Sequence, residues 1–248
     1  MGLTIHYQLK LARADKGMDD LQARWAVEEA RKLALRLKRQ GRVDAVGTPT
    51  FEPAVRRLAV EWRTRPVPGR PNAFTSEEIR PVAGHLFQVR PGRDCESLLL
   101  GLCRYGRGGW RLTSFCKTQY SSLHGWEHFR RCHTAVIDLL AGLRGLGFAI
   151  KINDEGDYWP GRRLEALRRN VDEMNAIVAG AVGALKDWGG ENGSPPVEAP
   201  ILAHPHFERL EAEGEARGYV ARLRKVLRRA ARLQVGKPIA PPSSRSAR

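Results

Sequence analysis

Leu3, Ile5, Tyr7, Leu9 and Leu11 alternate with Thr4, His6, Gln8 and Lys10, so nine consecutive residues put their apolar side chains on one face of an extended chain. No other feature limits the fold as much. It predicts a strand with one buried face, and the rest of the chain must supply the layer that covers it.

Residues 15–20 hold turn and cap residues, and Asp19 or Asp20 can accept from the free N–H groups of a following helix. That helix is expected to run to about Gln40, with Leu21, Trp25, Leu33 and Leu37 near one stripe and Gly41 ending it. Gly47, Pro49 and Pro53 punctuate the next stretch, and a short strand is expected at residues 58–62. Pro66, Pro68, Pro71 and Pro81 make residues 63–84 read as a surface loop or flexible insert. Strands are expected at 86–89, 110–120 and 148–152, the second rich in aromatic and β-branched residues. Helices are expected at 125–143, where Phe129, Cys132, Val136, Leu139 and Leu140 recur at helical spacing, and at 162–188. The order predicts an α+β fold: a mainly antiparallel sheet with helices on one face, a ferredoxin-like arrangement being one candidate, plus a basic C-terminal helix.

The domain reading places an α+β body at 1–188 with a Pro-rich insert at about 63–84. A linker follows at 189–206, then a helical extension at 207–236 and a tail at 237–248 that is disordered by composition. A short helix is expected at 207–214 and a basic amphipathic helix at 219–235.

The net charge of +15 is unevenly spread: residues 217–248 carry ten basic and no acidic side chains, while the first 216 carry 32 basic against 27 acidic. Arg222, Arg224, Lys225, Arg228, Arg229 and Arg232 can neutralise phosphates, so nucleic acid, RNA or DNA, is an expected partner. An acidic protein partner fits the same charge. No stretch approaches the ~20 apolar residues of a membrane span, and the start lacks the pattern of a secretory signal. Four cysteines without an export signal are expected to stay reduced, and the expected location is cytoplasmic.

Several runs carry a resemblance. Gly92-Arg93-Asp94-Cys95-Glu96, Gly101-Leu102-Cys103-Arg104-Tyr105, Ser114-Phe115-Cys116-Lys117-Thr118-Gln119-Tyr120, Phe129-Arg130-Arg131-Cys132-His133 and Asp154-Glu155-Gly156-Asp157-Tyr158-Trp159 resemble a group of uncharacterised bacterial proteins of unknown function. The resemblance covers residues 2–7 and most of 84–210. It implies no activity, cofactor or catalytic residue, and the arginine-rich segment after Gly218 looks like an addition to the pattern.

Three constellations in the body bear on chemistry. His124, His128 and Cys132 are spaced by four, but no second close pair completes a zinc site, so no metal ligand is assigned and the cofactor stays open. Cys116 sits beside Lys117, and His133 could serve it as a base if the two meet in space. Asp154, Glu155 and Asp157 lie near a strand end, where they could act as acid and base or cap the next helix. An enzyme reading would gather Cys116, Lys117, Gln119, Tyr120, His133, Asp154 and Glu155 in one cleft. It stands beside nucleic-acid binding through the arginine-rich helix and a protein-interaction module without chemistry.

Overall fold

The computed structural model describes residues 3–11, 19–50, 54–70, 72–106, 109–191, 195–218, 220–221 and 223–226. The chain divides into two compact units, Met1–Asp172 and Glu173–Arg248, and the division falls inside a long helix.

In the first unit the alternating segment forms β1 (Thr4–Leu11), and α1 (Asp20–Arg39) follows with Asp19 capping it by accepting from Gln22 N–H at 2.8 Å. Then come β2 (Ala45–Val46), α2 (Val55–Leu58), β3 (Glu61–Pro66), β4 (Phe74–Ile79), β5 (Ala83–Arg90), β6 (Leu98–Arg104) and β7 (Trp110–Lys117). A 3-10 turn (Gln119–His124) leads into α3 (Trp126–Gly142), β8 (Phe148–Asp154) and the start of α4 (Leu164–Glu191).

Six strands form one sheet in the order β2-β5-β6-β7-β1-β8, and every neighbouring pair is antiparallel. Without β2 and β5, the order β6-β7-β1-β8 with α1 and α3 as crossovers suggests the ferredoxin-like arrangement. Both helices pack on the inner face. There Ile5, Tyr7 and Leu9 of β1 join Ala26, Ala30, Val136 and Leu140 of the helices in one apolar core. The helices pack closely enough that a Cβ at Gly142 would stand 2.9 Å from Leu33 Cδ2.

Three expectations need correcting. First, α1 buries Ala23, Ala26, Val27, Ala30 and Ala34, whereas Leu21 and Trp25 point outward at 71% and 66% exposure. Small side chains bring the helix close to the sheet, so the alanine face rather than the bulkiest residues lies inside. Second, residues 63–84 are not a loop. β3 and β4 pair in register as a separate two-stranded hairpin, with Pro66 at the end of β3, Pro68 in the turn and Pro81 beyond β4. These three prolines therefore occupy positions where a missing N–H costs no ladder hydrogen bond. Third, residues 58–62 are divided between the end of α2 and the start of β3.

β6 has no counterpart among the expected strands. Leu98 to Cys103 are all buried because the sheet is covered twice there. α1 and α3 lie inside, while Val55 and Ala59 cover the outside. Gly101 fits this crowding: it holds φ +139°, and a Cβ there would stand 2.0 Å from the His85 carbonyl oxygen.

In the second unit, the later turns of α4 pack with α5 (Phe207–Ala216) around Val178, Ala179, Val182, Ile201 and Leu210. A Cβ at Gly214 would fall 2.2 Å from Ala176 O, so the two helices meet almost backbone to backbone. The short helix expected at 207–214 is α5. Of the helix expected at 219–235, only 220–221 and 223–226 are described, and the tail lies outside the described residues. Among the described residues no helix is long and apolar enough to cross a membrane.

Candidate nucleic-acid interface

The two faces of the sheet carry different chemistry. On the inner side, where β8 ends, Asp154 is wholly buried against His133, with His133 Nε2 3.1 Å from Asp154 Oδ1. Thr118 Oγ1 lies 2.8 Å from His133 Nδ1. The carboxylate also accepts from three backbone N–H groups: Gly156 at 2.8 Å, Tyr158 at 3.0 Å and Trp159 at 2.9 Å. Burial pushes the Asp154 carboxyl up, but His133 and the N–H groups of Trp159 and Gly156 outweigh it and hold the group below its ordinary value. Around this pair, Gln119 Oε1 accepts from Leu3 N–H at 3.0 Å and Glu155 Oε2 from Thr4 N–H at 2.8 Å.

Of the expected catalytic set, the structure thus brings His133 and Asp154 into contact, with Gln119 and Glu155 pinning the start of β1. Both members of the pair have side chains with 0% exposure. The cluster works as a clamp joining β1, β8, α3 and the 155–159 turn. Lys117 lies on the outer side of β7, 3.9 Å from Glu96, and Tyr120 is half-buried in the 3-10 turn.

Cys116 belongs to a different neighbourhood. Its thiol donates to Glu96 O at 3.2 Å, and the neighbouring Cys95 thiol donates to Lys117 O at 3.7 Å. The neighbouring Cys116 thiol, together with burial, raises the Cys95 thiol far above the ordinary range; the neighbouring Cys95 thiol and burial do the same for Cys132. Burial pushes Cys103 up to about 12. Cys95, Cys103 and Cys132, held protonated in this way, are poor nucleophiles. Among the described residues no three His, Cys, Asp or Glu side chains form a group that could hold a metal ion.

The outer face is open over β7, β1 and β8. The register aligns three rows across these strands: Phe115, His6 and Asn153; Thr113, Gln8 and Lys151; Arg111, Lys10 and Ala149. The nine positions include three permanent cations and no carboxylate. Phe115 is 51% exposed, with its ring centroid 6.1 Å from that of His6. The segment leading into β3 walls one side. Glu61 there accepts two hydrogen bonds from Arg111, at 3.2 Å from Nε and 2.7 Å from Nη2, and the Arg111 guanidinium lies 4.6 Å from the Tyr105 ring centre. Between wall and sheet lie two adjoining depressions. One of about 420 Å³ is bordered by Trp62, Lys10 and Arg111, and one of about 470 Å³ by Phe115, His6 and Lys151. Gln8 and Thr113 line both.

The sequence reading missed this surface, although its signals were present. The polar phase of β1 places His6, Gln8 and Lys10 on one side, and Phe115 stands in the polar phase of β7, where only an outward aromatic can sit. For the arginine-rich helix, Arg224 is held by Glu215 and lies 3.6 Å from Asp187, so its charge is partly neutralised within the chain. Lys225 is exposed; Arg222, Arg228, Arg229 and Arg232 lie outside the described residues. Comparison with protein-family models, with curated proteins and with solved structures gives no match, and the surface must be read from its own chemistry.

Proposed function

We propose that the protein binds nucleic acid, with the open half of its sheet as the principal contact surface and the basic C-terminal segment adding affinity. The observation that supports this most directly is the outer face of β7, β1 and β8. It combines lysines, hydrogen-bonding amides and an exposed aromatic ring, with no carboxylate among its nine outward positions; the carboxylates at its border, Glu61 and Glu155, face Arg111 and His6. Lysines suit phosphates and carry a salt-dependent, sequence-independent share of the affinity. An exposed ring on a sheet surface offers a base something to stack on, as in sheet-based RNA-recognition modules. The overall charge of +15 favours the same class of partner.

The test is a titration of a fluorescein-labelled oligonucleotide with the full chain, repeated from about 50 to 200 mM salt. Affinity should fall linearly on a log–log plot. The Lys10→Glu, Lys151→Glu double variant should bind more weakly and with a shallower slope. A salt-insensitive affinity, or a double variant indistinguishable from the parent, would remove the basis for this reading.

A further inference from the structure

We infer that the ligand is a single strand, held with one base stacked on Phe115 and a neighbouring base on Trp62. This rests on the nucleic-acid reading above and narrows it to unpaired bases.

Phe115 is the only aromatic residue among the nine outward positions apart from the imidazole of His6, and half of its surface is exposed at the centre of a regular strand. It contributes nothing to the inner core, which uses the opposite phase of β7. Trp62, 64% exposed, borders the first depression, and Phe115 borders the second. Two rings at two adjoining depressions provide stacking surfaces for two bases.

Between them lie the groups that base edges and phosphates need. Gln8 and Thr113 face each other across β1 and β7 and line both depressions. Diagonal neighbours on a sheet lie about 7–8 Å apart, within reach of the edge of a base lying on Phe115. Lys151 faces Gln8 from β8 and Lys10 faces Arg111 from β1, which places cations alongside the path. A duplex keeps its bases stacked inside and presents groove edges that helices or ribbons enter. It would leave both rings without a partner. Unpaired bases have free faces, and stacking on aromatic side chains is how proteins hold single strands.

The experiment uses the full-length protein and labelled ten-nucleotide probes: single-stranded RNA, single-stranded DNA, the matching duplexes, and a strand lacking its bases. Binding of either intact single strand at least about 10-fold tighter than both the duplexes and the base-free strand supports the inference. Phe115→Ala should weaken single-strand binding by about 5- to 100-fold. It should leave the base-free strand and the thermal unfolding midpoint unchanged, and Phe115→Trp should restore binding. Trp62→Ala should act in the same direction. Equal binding of duplex and single strand, or an inert Phe115→Ala, overturns the single-strand inference while the nucleic-acid reading stands. Failure of every probe to bind at about 50 mM salt overturns both.

Discussion

The inner and outer faces of this sheet are built from the same strands but follow different rules. The inner face takes Ile5, Tyr7, Leu9, Leu112 and Cys116 under two helices, and its His133–Asp154 pair is enclosed and closely surrounded by hydrogen-bonding groups. The outer face keeps His6, Gln8, Lys10, Thr113 and Phe115 in contact with solvent over half the sheet, and is sealed by Val55 and Ala59 over the other half. On the inner side the titratable pair His133 and Asp154 is enclosed among hydrogen-bonding groups of the fold. On the outer side, polar and aromatic residues from three strands lie in register and exposed. Burial separates the two roles more sharply than residue type does.

The largest expected effect lies on the inner face. Asp154→Ala leaves His133 buried without its carboxylate and should cost about 3–5 kcal/mol in urea unfolding. Oligonucleotide affinity per folded molecule should stay unchanged; a loss of binding with intact stability would mean that the clamp has a function beyond packing. Next comes the outer face: Lys10→Glu with Lys151→Glu should lower affinity by about 10-fold or more at 100 mM salt and reduce the salt slope by about 2, with no change in unfolding.

The pH dependence sharpens the contrast. Asp154 has a folded-state pKa below its unfolded one, so its contribution is complete above the ordinary carboxylate range and disappears as pH falls through the depressed value. Unfolding free energies measured between pH 7 and pH 3 should therefore fall on acidification, and less steeply in Asp154→Asn. The smallest effect is expected at Trp25→Ala, a large residue on the solvent side of α1, which should change stability by no more than about 0.5 kcal/mol. A cost of several kcal/mol would mean that this face is covered in solution.

Much of this architecture is legible in the sequence wherever one periodicity dominates. β1 reads directly because its alternation reflects one wet face and one dry face, and α3 reads because its apolar residues recur every three or four positions. β6 does not, since a strand buried on both sides loses the alternation and leaves only the run Leu98-Leu99-Leu100-Gly101-Leu102-Cys103. The buried face of α1 is hidden in the sequence, because the alanines that permit close approach carry less hydrophobic bulk than Leu21 and Trp25. His133 and Asp154 were both noticed, but their contact depends on a β-α-β connection that brings residues 21 apart in sequence together, and their enclosure depends on neighbours from β1. The outer surface depends on the register of three strands, which no single segment encodes.

The clasp between Glu61 and Arg111 bears on what kind of grip this surface has. Because that guanidinium is engaged by a carboxylate and a tyrosine ring, the rigid planar fork best suited to fixing a phosphate in one orientation is already committed within the fold. The charges left facing outward are the ammonium groups of Lys10 and Lys151, which are compact and sit on flexible stems. On the proposed reading, such a surface would tolerate a wandering phosphate backbone, and discrimination between sequences would fall to the rings and amides.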